Sequence, residues 1–205
     1  GGHLREELLE IQLHAASACV WQLVVDASRP FERVMKDVVD AEEKRRRFKE
    51  VYAKLLVREA KKIGASAIIQ GTLAPDRIES GATGGALIKS HHNVGLDFGD
   101  LAQIHPIDHL FKYEARALAK ELGLPESVWN RQPFPGPGLF IRVVGTPAMP
   151  DKLELVRWAD ARTREILEKH GVYRDLSQLV VAYVAANTVG VKGDGRSYAY
   201  PAVVR

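Results

Sequence analysis

Seven consecutive residues, Gln132-Pro133-Phe134-Pro135-Gly136-Pro137-Gly138, contain three prolines and two glycines. Each proline fixes φ and removes a backbone donor, and glycine weakens any regular element, so neither helix nor strand can run through this stretch. It is a rigid connector, and it divides the 205-residue chain into a larger unit over 1–133 and a smaller one over 134–205.

Before the connector, short apolar runs alternate with helical patterns. Leu4 to about Ala16 reads as a helix, with Leu4, Leu8, Leu9 and Leu13 along one side. Val20 to Val25 follows as a mostly apolar run suited to a buried parallel strand. Ser28-Arg29-Pro30 opens the next helix. A second start at Asp40-Ala41-Glu42-Glu43 has an acidic first turn and runs to a stop at Gly64. Ala65 to Gln70 is a further short strand. This order argues for a parallel α/β sheet. After a long loop over 71–99, Ile104-His105-Pro106-Ile107 resumes the fold. The helix beyond it carries Leu110, Phe111, Leu118 and Leu122 and ends at Gly123. After the connector, Leu139 to Val144 reads as a strand, Asp151 to His170 as an amphipathic helix, and Leu179 to Ala185 and Ser197 to Val204 as strands, with a hairpin turn in 190–195. The second unit is thus a small α+β domain.

Bulk properties exclude several classes. Hydrophobic residues at 46% and charged residues at 27% are ordinary for a globular protein. No run is long and apolar enough to span a bilayer, and a net charge of +3 is too small to argue for nucleic acid. The single cysteine, Cys19, rules out an internal disulfide framework and fits a reducing cytoplasmic compartment. The densest basic run, Lys44 to Lys49, lies where apolar residues recur at Phe48, Val51, Tyr52, Leu55, Leu56, Ala60 and Ile63. That is helical spacing, so the charges are expected on the solvent face.

The chemistry concentrates in the loop of nearly thirty residues over 71–99, a length usually reserved for functional or disordered segments. It leaves the carboxyl end of a strand, where α/β sheets bind ligands. Gln70-Gly71-Thr72 begins it. Asp76 and Glu79 follow as two carboxylates three residues apart, and then the donors Lys89, His91, His92 and Asn93. Carboxylates suit a Mg²⁺ ion that also grips phosphate, and lysine and imidazole suit the charge on a departing phosphate group. Asp76 and Glu79 could equally cap a turn, and the histidines could be exposed loop residues. From the residues alone this is a polar, anion-handling loop with a hinge at Gly84-Gly85.

Four segments add a resemblance. Gln70 to Ser80 (QGTLAPDRIES), Ile88 to Gly95 (IKSHHNVG), Arg131 to Leu139 (RQPFPGPGL) with Ile141-Arg142-Val143, and Val191 to Arg205 resemble, in order, motifs of the GMP synthases. The resemblance implies an adenine-nucleotide α-hydrolase-like (ATP-pyrophosphatase) domain followed by a dimerisation domain, hence a homodimer. It implies that ATP, with Mg²⁺, adenylates xanthosine 5′-monophosphate (XMP), and that ammonia from a glutamine amidotransferase domain or subunit then displaces AMP to give GMP. Carried onto this sequence, Asp76 and Glu79 organise Mg²⁺–ATP, and Gln70, Gly71, Thr72 and Asn93 line the ATP cleft. Lys89, His91 and His92 close as a lid, and Lys89, His92 and Arg142 face XMP.

The family's phosphate loop, an SGGVDS-type sequence, does not occur here, and the family continues past Arg205. A fragment of a longer chain is the expected explanation, ahead of a split protein or a degenerate, non-catalytic nucleotide-binding module. Either way, little activity is expected from this chain alone. An NAD or argininosuccinate synthetase relative is the other enzyme reading, and the HHNVG and FPGPGL segments count against it.

Overall fold

The computed structural model describes residues 22–79 and 96–205. The expected helix over 4–16 and the first two residues of the expected strand at 20–25 lie outside them. Gln22 to Val25 form no strand, and Leu23 and Val24 are each 60% exposed. A strand exists only where another offers it hydrogen bonds, and among the described residues none pairs with this run.

Helix α1 (Ser28–Met35) and helix α2 (Ala41–Lys62) follow. Asp40 caps α2, its carboxylate accepting from the Glu43 N–H at 2.8 Å, and the helix runs out at Gly64 as its sequence demands. The aromatic rings of Phe31 and Phe48 stack at 4.6 Å between the two helices. Strand β1 (Ala67–Ile69) leads into a one-and-a-half-turn helix, α3 (Ala74–Glu79), inside the stretch read as loop. Asp76 accounts for that difference: its carboxylate accepts from the Leu73 N–H at 2.8 Å and closes the first turn.

Strand β2 (Ala102–Ile104) lies parallel to β1, with Ala67, Ile68 and Ile69 opposite Ala102, Gln103 and Ile104. The first core forms beneath this pair from Ala53 and Ala60 of α2, Ile68, Phe98 and Leu101. Helix α4 (Lys112–Glu121) starts where the Glu114 carboxylate accepts from the Phe111 N–H at 2.7 Å. Its expected apolar face stays outside, with Leu122 71% exposed. Helix α5 (Glu126–Trp129) precedes the connector.

The run after the connector departs from expectation. Gly138 to Arg142 form a 3₁₀ turn and only Val143–Val144 is a strand, β3. Gly138 takes φ +62°, which glycine alone adopts without strain, and its N–H bonds the Pro135 carbonyl at 2.9 Å. The prolines therefore wind the chain tightly before it can extend. Helix α6 (Pro150–Lys169) crosses to β4 (Val181–Val184), which pairs parallel with β3 and antiparallel with β7 (Ala202–Val204). A separate hairpin joins β5 (Thr188–Lys192) to β6 (Gly195–Ala199) through Gly193, at φ +60°, and Asp194. The single strand expected over 197–204 is thus two, interrupted at Pro201, which has no N–H to give a ladder. The second core comprises Val143, Ala148, Leu153, Val156 and Tyr183.

The basic run on α2 mostly behaves as read. Arg46 and Arg47 both hydrogen-bond the Glu43 carboxylate and hold its pKa at about 2, from an ordinary 4.5. Lys44 is the exception: it is 1% exposed and points into the protein.

The Glu43 pairs give a testable pH dependence. Because the folded pKa is depressed, their support of α2 is complete above pH 4.5 and is lost as pH falls from there to about 2. Thermal melts at neutral pH and at about pH 3 should differ less for Glu43→Gln than for the unaltered protein.

Candidate functional site

The parallel register of β1 and β2 brings their carboxyl ends side by side, and the residues that leave those ends form the candidate site. Gln70 continues the ladder, its N–H donating to the Ile104 carbonyl at 2.9 Å and its side-chain amide donating to Gln103 at 3.1 Å. Gly71 is exposed. Thr72 turns inward, is 7% exposed, and shares a 2.8 Å hydrogen bond between its hydroxyl and His105 Nδ1. His105 is the first residue after β2, so this bond ties the two strand ends together.

Helix α3 is fastened to the loop opposite. The Ala74 N–H donates to the Leu110 carbonyl at 2.9 Å, and Arg77 pairs with Asp108. Asp76 lies in the field of Lys112, the first residue of α4. Burial, together with the neighbouring Arg116 guanidinium, holds the Lys112 ammonium below its ordinary pKa, while Asp76 draws it back up. Lys112 and Arg116 then line a cleft of about 510 Å³ with Trp129, Arg131, Gln132 and Phe134. A neighbouring cleft of about 840 Å³ that shares Arg116, Arg131 and Gln132 is of mixed charge, adding Arg164 and Arg174 together with Glu126, Glu168 and Asp175. The arrangement offers a buried hydroxyl and a half-buried imidazole at the strand ends and, across from Asp76, a cationic wall of Lys112, Arg116 and Arg131, which suits a phosphorylated ligand.

Arg142 belongs to a different group of residues. It is 4% exposed, pairs with Asp160 of α6 at 2.6 Å, donates to the Leu179 carbonyl at 3.3 Å, and lies 4.6 Å over the Phe134 ring.

Residues 89–187 match the family described as NAD synthase. The chain is also 46% identical over 184 residues to the glutamine-hydrolyzing GMP synthase of Natranaerobius thermophilus, a match covering 88% of this chain and 36% of that protein. It is 46% identical over 186 residues to the GMP synthase of Aeropyrum pernix, covering 89% and 36%. With a GMP synthase subunit of Thermococcus kodakarensis the identity is 46% over 183 residues, covering 88% and 57%. Over most of its length the chain is thus similar to GMP synthases. It spans about a third of the length of the first two relatives and somewhat over half of the third. An NAD synthase-like domain accords with the parallel pairing of β1 and β2.

Of the residues singled out in the sequence, the structure brings Gln70, Gly71, Thr72 and Asp76 together at the end of β1. Glu79 is the last residue of α3. Lys89, His91, His92 and Asn93 lie outside the described residues. Among the described residues no group of three or more His, Cys, Asp or Glu side chains is arranged to hold a metal. Sequence reasoning missed His105, Lys112, Arg116 and Arg131. The signal for His105 was available: a residue directly after a short strand paired with β1 lies at the same strand edge as Gln70-Gly71-Thr72. Arg131 opens one of the quoted motif segments but was given no role, and Lys112 and Arg116 carried no such signal, because they come from α4.

The Arg142–Asp160 pair gives a stability prediction. Arg142→Leu strands a mostly buried carboxylate, which Arg164 reaches only at 3.5 Å. The expected loss is about 3 kcal/mol, read from the denaturant midpoint, with Asp160→Asn costing distinctly less. An unchanged midpoint for Arg142→Leu would contradict the pairing.

Proposed function

We propose that this chain is the substrate-facing part of a GMP synthase, an ATP-dependent ligase of purine nucleotide synthesis in the cytoplasm. The reading rests on the 46% identity that runs through 183 to 186 residues of GMP synthase relatives, with the four quoted motifs in order along it. In the reaction, the C2 oxygen of XMP attacks the α-phosphorus of ATP and pyrophosphate leaves. Ammonia then adds at C2 and AMP departs, giving GMP.

Gln70, Gly71, Thr72 and Asn93 line the ATP cleft. A Cβ at position 71 would meet no atom of the described residues within 4 Å, so packing among them leaves room there for the close approach of a nucleotide. Asp76 and Glu79 would hold Mg²⁺ together with the ATP phosphates, hard oxygen donors suited to that ion. The ion supplies neutralisation of phosphate charge. Lys89, His91 and His92 close over the phosphates and, with Asn93, exclude water that would hydrolyse the adenylated nucleotide. Lys89 and His92 face XMP. Arg142 serves XMP by fixing Phe134 and the connector, since its guanidinium is already engaged by Asp160 and the Leu179 carbonyl.

Ammonia comes from a glutamine amidotransferase, in keeping with the relatives' names. The Thermococcus relative is named as a subunit, which points to a divided assembly. The unit over 134–205 forms a homodimer. In support, its β5–β6 hairpin holds Val189 and Tyr198 directly opposite each other, 60% and 63% exposed, with Val191 at 78%.

Pyrophosphate release by the full-length protein with ATP, Mg²⁺, XMP and ammonia tests the reading. XMP-dependent release is expected. Lys89→Ala should lower that rate by a factor of about 100 while leaving ATP affinity within about threefold. No release with XMP binding retained would leave only a binding module.

A further inference from the structure

The first turn of α2 is acidic, as a helix N-terminus favours, with Asp40 at the cap and Glu42 and Glu43 behind it. Lys44 sits in that turn against the helix dipole. It is 1% exposed, the one buried lysine among the described residues, while Arg46 beside it stands in solvent. Its ammonium donates to two backbone carbonyls of the segment after the connector, Val143 at 2.6 Å and Thr146 at 3.0 Å. No carboxylate pairs with it within 4 Å among the described residues. Asp40 attracts it from further off, and burial lowers its pKa.

An ammonium buried on carbonyls alone is an expensive way to fill space, and an apolar side chain of similar length would pack there at lower cost. What lysine supplies and methionine cannot is a fixed direction: two carbonyls, one at the start of β3 and one in the turn that follows it, held to one point on α2. The consequences run both ways from that point. On one side α2 packs through Ala53 and Ala60 onto Ile68 of β1, the strand that delivers Gln70, Gly71 and Thr72. On the other, the held turn is continuous with Arg142, which fixes Asp160 and Phe134.

We infer that Lys44 is a positioning residue, which seats the 143–146 turn on α2 and so sets the register between the ATP-facing strand end and the segment that completes the XMP site. This rests on the proposed function. ATP needs the first unit alone, whereas XMP needs both units in register, so the two substrates should respond differently when the pin is removed.

The experiment compares Lys44→Met and Lys44→Arg with the unaltered full-length protein. For Lys44→Met, circular dichroism should be retained and the KM for XMP should rise about tenfold or more, with the KM for ATP within about twofold. Lys44→Arg, which still donates, should recover most of the XMP affinity. Hydrogen exchange should quicken at the 143–146 amides of Lys44→Met and stay unchanged at 67–69. If Lys44→Met does not fold, Lys44→Gln, uncharged and still able to donate one hydrogen bond, is measured in its place. An unchanged KM for XMP, or KM values for both substrates rising together, overturns the positioning role. If the unaltered protein shows no XMP-dependent pyrophosphate release, the functional reading fails. Exchange at 143–146 then still decides whether Lys44 pins the turn, and unchanged exchange there overturns the inference.

Discussion

Two buried cations meet in the segment 138–146, and the rest of the molecule is arranged around them. Lys44 reaches in from α2 to the carbonyls of Val143 and Thr146. Arg142 reaches out from the segment itself to Asp160 and the Leu179 carbonyl. Each is costly to bury, and each is offset by two hydrogen bonds to buried or half-buried acceptors. The phenyl ring of Phe140, in the same segment, approaches that of Phe31 on α1 to 6.3 Å. The first core lies behind α2 and the second behind β3, so this segment joins two hydrophobic clusters that the connector would otherwise leave separate.

The candidate site uses that rigidity. Parallel pairing aligns the ends of β1 and β2, the Thr72–His105 bond locks them, and α3 is tied to the facing loop by Arg77 and Asp108. A nucleotide cleft at such an edge needs few dedicated residues, because the strand ends already present backbone and short polar side chains toward one opening. The similarity to GMP synthases runs through these residues, and the geometry sets the strand ends at one edge with the basic side chains of Lys112 and Arg116 across from Asp76.

Much of this was legible in the sequence where the determining partners are local. Asp40 as a cap, the stop at Gly64, the turn at Gly193 and the residues leaving β1 all depend on neighbours a few places away. The failures share the opposite property. Lys44 sits in a basic run whose spacing says solvent, and its partners are 99 and 102 residues distant. Leu139 to Val144 has the composition of a strand, but the tight turn imposed at Gly138 winds five residues into a 3₁₀ coil. Gln22 to Val25 have strand composition and no strand beside them among the described residues. Asp76 was readable both as a turn cap and as a site carboxylate, and the hydrogen bond to the Leu73 N–H establishes the first without bearing on the second.

If the segment 138–146 is held by Lys44 and Arg142 as one unit, the two cations are energetically coupled although their charged groups bond different atoms. A double-mutant cycle in unfolding free energy, with Lys44→Met, Arg142→Met and the pair, measures that coupling. The account predicts an interaction energy of about 1 kcal/mol or more, because loosening either anchor frees the same turn. Additivity to within about 0.3 kcal/mol would show that each cation serves only its own surroundings, and would contradict it.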